Sequence, residues 1–238
     1  MREDVVARLL ALNQAFYDGR AASFAASRAQ PQPGFERILA YLPQSCQRLL
    51  DVGCGEGRFG RFLQAHQPVE RYVGVDFSAE LLVIAQAQME QGQFYQCDMT
   101  QPGFLAGLGK FEVVVCLAAL HHIPGKQNRQ RLVEEMAGCL TENGRLILST
   151  WQFLNSQRQQ RKVRDWSEIG LSPADVETND YLLTWQRGGF SYRYACMIDE
   201  AETAELAQAC HLKILHQFHS DGKEGDLSLY TILGKEKA

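Results

Sequence analysis

The stretch DVGCGEGRFG, residues 51–60, is the most informative part of the chain, because its four glycines join a short apolar run to a helix. The apolar run, residues 47–52, is typical of a buried strand, and residues 58–66 carry apolar side chains on one helical face. The last three glycines satisfy the G-x-G-x-x-G pattern of a nucleotide-binding turn. However, Asp51 and Glu56 would repel a pyrophosphate, which prefers helix-terminal N–H groups with no anion nearby. The loop therefore favours a ligand that carries positive charge and no phosphate.

From residue 47 onward, the order of strand, loop and helix repeats along the chain. Alternation of this kind predicts a parallel sheet with helices on both faces. Two further apolar runs after residue 211 flank SDGKEGD and predict a closing antiparallel hairpin. We therefore expect an α/β, doubly wound, mostly parallel seven-stranded sheet that ends in an antiparallel hairpin. The five predicted parallel strands are 47–52, 71–76, 93–98, 111–120 and 145–150.

Three of these strands end in an aspartate, namely Asp51, Asp76 and Asp98. Right-handed crossovers bring the carboxyl ends of parallel strands to one edge, where ligands of such sheets bind. Three carboxylates at equivalent positions are hard to explain by packing alone. The sequence therefore predicts a ligand site at this edge.

The chain divides into four predicted segments of one domain. Residues 151–198 are polar with scattered aromatic residues and break the strand–helix rhythm, so we interpret them as an insertion over the ligand edge. The segments are an N-terminal helical cap (1–46), a cofactor-binding core (47–150), a substrate-side insertion (151–198), and a C-terminal helix and hairpin that complete the domain (199–238).

Composition excludes several classes of protein. The chain has 238 residues, 45% of them hydrophobic, and a formal net charge of −4, which disfavours a strongly basic nucleic-acid binder. No stretch approaches ~20 apolar residues, and the first residues do not resemble a secretory signal, so we expect no membrane partner. The seven cysteines contain no C-x-x-C pair, which favours a reducing cytoplasm.

Four motifs in order, LLDVGCGEGRFGRFL, YVGVDFS, YQCDM and VVVCLAALHHI, resemble the motif series of class I S-adenosylmethionine-dependent methyltransferases. The resemblance covers about residues 47–150 and implies S-adenosylmethionine as cofactor, with S-adenosylhomocysteine as product. It implies that Asp51, Gly53 and Gly55 line the methionine end of the cofactor. It further implies that Asp76 binds the ribose hydroxyls and that Phe77 lies beside the adenine. By the same resemblance, Asp98 accepts from the adenine amino group with Met99 packing nearby, and Leu117 lies under the transferred methyl group.

The segments outside this core resemble one branch of the family, the tRNA wobble-uridine methyltransferases that esterify a carboxymethyl group. The similar segments are FYDGRAASFAASRAQPQPGF (16–35), the His121–His122 pair, STWQF and SYRYACM. The resemblance implies that Tyr17 and Arg28 lie close to the cofactor. It also implies that Arg193 and Tyr194 lie by the acceptor pocket.

The chemistry expected of the candidate catalytic residues depends on the acceptor. A carboxylate is already ionised at pH 7, so it needs no general base, and Arg28 or Arg193 would hold it through paired donors. A phenol, hydroxyl or amine would need a base, for which His121 or His122 is the candidate. Alternatively, one of the histidines only satisfies a backbone carbonyl at the strand end. Tyr194 completes the set of candidate catalytic residues.

Two other groups of charged or polar residues have competing interpretations. The cluster Arg158, Arg161, Lys162 and Arg164 is either a phosphate contact beside the active edge or a solvated helix face. The His-x-x-His spacing at residues 216–219 falls on a predicted strand, where the two side chains point to opposite faces, so we expect no metal site.

Three hypotheses remain alongside a tRNA methyltransferase. A methyltransferase could act on a small aromatic or carboxylic metabolite. The chain could instead be a non-catalytic cofactor-binding partner or activator protein, whose loop and acids would look the same. An NAD-dependent oxidoreductase is the third hypothesis, because of the glycine pattern.

Overall fold

The structure is a computed structural model that describes residues 1–26, 30–186 and 189–236. The helices are α1 (Glu3–Ala26), α2 (Pro33–Leu39), α3 (Arg58–His66), α4 (Ala79–Gln88), α5 (Lys126–Gly138), α6 (Gln157–Gln160) and α7 (Glu200–Ala209). The strands are β1 (Arg48–Val52), β2 (Arg71–Asp76), β3 (Gln93–Gln96), β4 (Phe111–Leu117), β5 (Leu140–Trp151), β6 (Val163–Arg164), β7 (Asp180–Trp185), β8 (Ser191–Cys196), β9 (Leu212–Ser220) and β10 (Ser228–Lys235). Within the described ranges, none of the helices has the length and apolar content to cross a membrane.

The main sheet has seven strands in the order β3-β2-β1-β4-β5-β10-β9. Strands β1 to β5 run parallel, whereas β10 pairs antiparallel with both β5 and β9. This confirms the predicted α/β fold with its antiparallel C-terminal hairpin. The strand order reverses between β1 and β4, and ligands of open α/β sheets bind beyond the strand ends at such a switch point.

Helices cover the parallel strands on both faces, as the near-continuous apolar run of β4 predicts. Val114 belongs to a buried cluster that includes Leu132 of α5, and Val113 belongs to a second buried cluster that includes Phe59 of α3. Successive side chains of β4 therefore enter opposite cores. This double burial leaves the strand ends as the accessible places for a polar site.

Strand β4 is shorter than the predicted 111–120, and the reason lies at the ligand edge. It ends at Leu117 because Ala118 has a positive φ of 57°, and Leu120–His122 then form a 3₁₀ turn. The Ala118 N–H donates to the carbonyl and the Oγ of Ser149 at 3.0 and 2.9 Å. A positive φ is uncommon for alanine and often marks a functional corner.

The predicted insertion, residues 151–198, contains a three-stranded antiparallel sheet, β6-β7-β8, that is not predicted from the sequence. One face of this small sheet packs into the main core through Leu182 and Tyr194. The other face places Leu183 and Ala195 in a separate small cluster. Because the small sheet shares the main core, it needs no large core of its own.

Helix α1 supports the open edge of β8 through Asn13. The buried Asn13 amide accepts the Tyr194 N–H at 2.8 Å and donates to the carbonyls of Tyr194 and His122 at 3.2 and 3.1 Å. These bonds satisfy backbone groups of both the small sheet and the 3₁₀ turn. Asn13 thus joins α1, the insertion and the ligand edge.

Arg129 of α5 ties the insertion to the C-terminal helix. Its side chain is 2% exposed and donates to Glu202 at 2.7 Å, to Glu177 at 2.9 Å and to the Ile123 carbonyl at 3.2 Å. Glu177 belongs to the insertion and Glu202 to α7. Removing a buried arginine with several partners of this kind strongly destabilises the folded protein.

Candidate functional site

The glycine loop after β1 folds tightly against the end of β2. The N–H groups of Gly53 and Cys54 both donate to the Val75 carbonyl, at 2.8 and 3.1 Å. Gly53 has a φ of 75°, and a Cβ at this position would lie 2.4 Å from the Cβ of Ala119. Only glycine fits both the backbone conformation and the available space.

Asp51 ends β1 beneath this loop and is buried. The Tyr72 hydroxyl donates to its Oδ2 at 2.5 Å. Burial raises the pKa of Asp51 to about 7, while the bond from Tyr72 acts in the opposite direction. Asp51 is therefore a carboxyl group whose charge changes near neutral pH and would be stabilised by a nearby cation.

Asp76 ends β2 and is held by backbone donors on both of its oxygens. The Gly55 N–H donates to Oδ2 at 2.8 Å and the Ser78 N–H donates to Oδ1 at 3.0 Å. Burial raises the pKa of Asp76 to about 6, and the bonds from Ser78 and Gly55 lower it. Ser78 is the N-cap of α4, and its side chain accepts the Leu81 N–H. Asp76 is thus oriented by the loop, and each oxygen retains capacity for a further donor.

We call the cavity around these groups the glycine-loop pocket. It brings together eight of the predicted cofactor residues: Tyr17, Asp51, Gly53, Gly55, Asp76, Phe77, Met99 and Leu117. Its other lining residues are Phe24, Phe35, Cys54, Glu56, Arg58, Phe59, Leu81, Ala118, Ala119 and His122. Among these described residues there are three carboxyl groups and one arginine, so the pocket is acidic.

Asp98 lies in an adjoining cavity that shares Tyr17, Phe77, Met99 and His122 with the glycine-loop pocket. Its Oδ1 accepts from the N–H and the hydroxyl of Thr100, at 2.8 and 2.6 Å. Asp98 is exposed, unlike the buried Asp51 and Asp76. The three aspartates therefore lie along one edge, with Asp98 at the far end.

Arg28, predicted both as a cofactor contact and as a carboxylate-binding residue, lies outside the described residues. Tyr17 of α1 lies at the ligand edge, with its ring centroid 5.6 Å from both the Phe77 and His122 rings in edge-to-face contacts. The long helix α1 therefore contributes an aromatic wall to a site that is otherwise made by strand ends.

A second cavity, which we call the basic pocket, adjoins the first and shares Phe24, Ala118 and His122 with it. Its other lining residues are Gln32, His121, Trp151, Arg158, Gln159, Arg161, Lys162, Thr184, Trp185, Gln186, Arg193, Leu227 and Ser228. Four of these are lysine or arginine, and no aspartate or glutamate is among the described lining residues. The two pockets therefore have opposite charge and meet at the Ala118 corner.

Arg193 is the buried cation of the basic pocket and is 4% exposed. Its guanidinium carbon lies 4.6 Å from the Trp151 ring and 5.4 Å from the rings of Phe16 and Trp185. Aromatic faces attract a guanidinium and fix its plane. The arrangement presents a preorganised donor group that suits an anion with two acceptor oxygens.

The predicted basic cluster divides between two environments. Arg158 and Arg161 are exposed at the basic pocket, where the half-buried Lys162 joins them. Arg164 instead donates to Glu168 at 2.7 Å and does not line the pocket. The helix expected here is the single turn α6, so the cluster is brought to the pocket by the fold of the insertion rather than by a common helix face.

Both histidines of the pair are buried beside the corner, each with a ring nitrogen used by the backbone. The Nδ1–H of His122 donates to the Tyr194 carbonyl at 2.9 Å. The Nδ1 of His121 accepts the Trp151 N–H at 3.3 Å. His122 therefore fits the alternative expectation, in which one histidine of the pair only satisfies a backbone carbonyl.

Tyr194 does not line the basic pocket. Its side chain is buried on the other face of β8, and its hydroxyl donates to Asp180 at 2.6 Å. Arg193 and Tyr194 are neighbours on a strand, so their side chains point to opposite faces. The structure brings Arg193 into the pocket and places Tyr194 in the core.

Several residues that shape the site are not predicted from the sequence. Ala118 forms the corner, Asn13 supports it, and Trp151 and Trp185 enclose Arg193. The two tryptophans were visible only as scattered aromatics in a polar segment. Nothing local in the sequence connects them with a guanidinium, because they come from two different strands.

Residues 50–146 match the protein family described as the methyltransferase domain. A protein of Encephalitozoon cuniculi named as a methyltransferase is 29% identical over 220 residues, covering 92% of this chain and 93% of that protein. A tRNA (carboxymethyluridine(34)-5-O)-methyltransferase of Xenopus tropicalis is 27% identical over 145 residues, covering 61% of this chain but only 22% of that protein. The chain thus spans a minor part of the Xenopus relative.

The fold is also shared with solved structures. A crystal structure of an S-adenosylmethionine-dependent methyltransferase from Clostridium acetobutylicum superposes with a TM-score of 0.65 at 14% identity. The match covers 94% of this chain and 98% of that chain. The likeness therefore extends over most of the chain.

Proposed function

We propose that this chain, whose residues 50–146 match a methyltransferase domain, is a class I S-adenosylmethionine-dependent methyltransferase that methylates a carboxylate on a modified tRNA wobble uridine. The observation that carries this proposal is Arg193, held between three aromatic rings in a basic pocket that adjoins the glycine-loop pocket. The similarity to the Xenopus tRNA (carboxymethyluridine(34)-5-O)-methyltransferase supports the choice of a carboxymethyluridine as acceptor. The methyltransferase domain does not support the oxidoreductase or the non-catalytic partner.

The cofactor is S-adenosylmethionine, which supplies a methyl group on a positively charged sulfur when it is bound. The residues present fit this group, since three carboxyl groups surround a loop in which glycines allow close approach. We propose that Asp76 accepts from the ribose hydroxyls and that Asp98 accepts from the adenine amino group. Phe77 and Met99 then pack beside the adenine, and Leu117 lies under the methyl group.

The residues of the basic pocket suit a carboxylate acceptor. A carboxylate is ionised at pH 7 and is itself the nucleophile, so no side chain has to remove a proton. Arg193 can donate two parallel hydrogen bonds to such a group, which would orient it. Burial among aromatic rings excludes water and strengthens this interaction. In this proposal catalysis comes from orientation and desolvation of the acceptor.

His122 has a positioning role in this proposal. Its Nδ1–H is used by the Tyr194 carbonyl, and its ring lines both pockets. The imidazole thereby links β8, which carries Arg193, to the corner beside Ala118. A general base at this position is needed only for an acceptor that must lose a proton.

The mouth of the basic pocket favours a large polyanion over a free metabolite. Arg158 and Arg161 are exposed there, so they can reach phosphates that lie outside the pocket. Phosphate contacts position a nucleic acid, whereas the contacts inside the pocket select the reacting group. The formal net charge of −4 makes this a local basic surface on an acidic protein.

The proposal is tested with labelled S-adenosylmethionine and two tRNA substrates, one that carries a carboxymethyluridine at the wobble position and one with unmodified uridine. We expect label only in the first tRNA, and we expect mild alkali to release it, because a methyl ester is hydrolysed whereas a methylated base or ribose is not. Alkali-stable label, or equal label in both tRNAs, would contradict the proposal.

Matched variants separate the inner pocket from its mouth. Arg193→Gln is expected to lower kcat/KM at least ~100-fold, which corresponds to one charged pair of hydrogen bonds. Arg161→Gln should weaken tRNA binding and reduce its salt dependence by about one unit of slope. Arg164→Gln makes the same charge change on an arginine paired with Glu168 and should leave both quantities near the wild-type values.

A small aromatic carboxylic acid is the second candidate acceptor. Trp151 and Trp185 give the basic pocket flat apolar walls next to Arg193, which would suit such a molecule. Labelling a metabolite extract in place of tRNA distinguishes the two candidates. For location we propose the cytoplasm, supported by seven unpaired cysteines of which six are buried.

A further inference from the structure

Gln159 is a buried amide in the wall of the basic pocket. It belongs to the single turn α6, lines the pocket and is only 6% exposed. None of the described residues donates a hydrogen bond to its Oε1 atom. The other two glutamines among the described lining residues differ, because Gln32 is engaged by Arg58 and Asp221, whereas Gln186 is exposed. Burying an amide oxygen without a donor is costly, so Gln159 offers an acceptor that a ligand can satisfy.

The small sheet of the insertion holds α6 near the strand that carries Arg193. The Lys162 N–H donates to the Gln159 carbonyl at 2.9 Å. Val163, the next residue, lies opposite Leu183 of β7, which in turn lies opposite Arg193 of β8. Neighbouring strands are ~4.8 Å apart, so two strand spacings separate Val163 from Arg193. Gln159 and Arg193 therefore line one pocket from adjoining elements of the insertion.

The oxygen of Gln159 needs a different partner from the other polar groups of the basic pocket. The arginine and lysine side chains of this pocket are hydrogen-bond donors, which complement a carboxylate. An amide oxygen is complemented by an N–H group instead. An aromatic carboxylic acid whose ring carries only C–H groups offers no such donor, whereas a uracil ring has an N3–H between two carbonyl oxygens. The buried oxygen therefore favours a uracil as the ring that enters the pocket.

The size and walls of the basic pocket suit a base that has left the RNA stack. Its volume is about 610 Å³, and pockets for small molecules commonly measure ~300–1,000 Å³. Trp151 and Trp185 line it. Proteins that recognise single-stranded RNA stack such bases on aromatic side chains and bind their edges through hydrogen bonds. A polar group in the wall of this pocket is thus placed to contact a base edge.

We propose that Gln159 is a specificity-determining residue that binds the uracil edge of the methyl acceptor, with Oε1 accepting from N3–H and Nε2 donating to O4. The inference rests on the proposed function and adds to it the group that recognises the base. The terminal torsion of a glutamine is broad, so the buried oxygen can turn toward the ring. Amide side chains bind base edges in this way, through one acceptor and one donor. On the ring, O4 lies between the C5 substituent and N3–H, so one pocket can bind both the carboxylate and the base.

Calorimetric titration of three synthetic anticodon stem-loops into the protein saturated with S-adenosylhomocysteine tests this role. At the wobble position they carry 5-carboxymethyluridine, its N3-methyl derivative or unmodified uridine. The wild type should bind the N3-methyl RNA at least ~10-fold more weakly than the carboxymethyluridine RNA, because the methyl group removes the donor and leaves the amide oxygen without a partner. Gln159→Ala should weaken the carboxymethyluridine RNA by about the same factor, and should bind the two carboxymethyl RNAs within about threefold of each other.

Two further variants make the result specific. Gln157→Ala removes an exposed amide from the same turn, outside the pocket, and should keep the wild-type discrimination against the N3-methyl RNA. Gln159→Glu keeps an acceptor oxygen and should still prefer the RNA with N3–H, which serves as the test if Gln159→Ala does not fold.

The three RNAs separate a failure of this inference from a failure of the proposed function. Equal wild-type binding of the two carboxymethyl RNAs, with the preference over unmodified uridine intact, would overturn the role of Gln159 alone. An N3-methyl effect that persists unchanged in Gln159→Ala would also overturn it, because another group would then recognise the edge. Equal wild-type binding of the carboxymethyluridine and uridine RNAs would contradict the proposed acceptor, and the inference would fall with it.

Discussion

Replacing Tyr72 with phenylalanine should shift the pH dependence of cofactor binding. The Tyr72 hydroxyl donates to Asp51 Oδ2 at 2.5 Å and is the largest influence that lowers the pKa of this buried carboxyl group. A hydrogen bond to a charged group is worth ~1.5–3 kcal/mol, and one pKa unit corresponds to about 1.4 kcal/mol. The Asp51 pKa, about 7 in the wild type, should therefore rise by roughly one to two units.

The consequence for the affinity follows from the ionised fraction of Asp51. With a pKa of about 7, half of the molecules carry the charge at pH 7. After a rise of one to two units only ~1–10% would carry it. The positively charged cofactor prefers the ionised carboxylate, so its affinity increases as the pH rises through the pKa. We expect the dissociation constant of Tyr72→Phe at pH 7 to be roughly 5- to 50-fold higher than wild type, with the difference disappearing at about pH 10.

Calorimetric titration of S-adenosylmethionine between pH 6 and pH 10 measures this shift. Tyr95→Phe is the matched control, because Tyr95 lies on β3 with 42% exposure and loses the same hydroxyl away from Asp51. Identical pH profiles for Tyr72→Phe and wild type would refute the reasoning. A uniform loss of affinity at every pH would also refute it, because that would indicate altered packing and not an altered charge.

Three further predictions concern stability and catalysis. Gly53→Ala should abolish measurable cofactor binding and lower the free energy of unfolding, measured by urea titration, by at least ~2 kcal/mol. The reason is that the new Cβ would lie 2.4 Å from the Ala119 Cβ on a backbone with positive φ. The control is Gly19→Ala, which has open space around it and should be neutral or stabilising in the same titration. Arg129→Met should cost about 3–5 kcal/mol in urea unfolding because it leaves two glutamates without their buried partner, and a loss below 1 kcal/mol would contradict that network. His122→Ala should retain kcat within about tenfold on a carboxylate acceptor, whereas a loss of ~100-fold or more with intact cofactor binding would support a general base.

The ligand edge could be predicted because its parts depend on local patterns. The apolar runs that precede Asp51 and Asp76 are strands by composition, and alternation with helices makes the sheet parallel. Parallel strands place their carboxyl ends together whatever the details of packing. For this reason the glycine loop and the three aspartates were assigned to one edge from the sequence, and the structure brings them to adjoining cavities.

The insertion could not be predicted in the same way. Strands β7 and β8 pair with each other, and the open edge of β8 is satisfied by Asn13, 181 positions away from Tyr194. Backbone groups that find partners so far apart leave no local pattern. The small sheet therefore became visible only in the folded chain.

The sequence by itself determined the parallel scaffold, the glycine loop and the acids that end its strands, because short-range periodicity and chain order are enough to set them. Only the tertiary structure decided which of two adjacent residues reaches the acceptor side. The register of β8 turns Arg193 toward Phe16, Trp151 and Trp185 and turns Tyr194 into the core. A shift of one residue would exchange the two faces, and that choice is made by long-range pairing and burial.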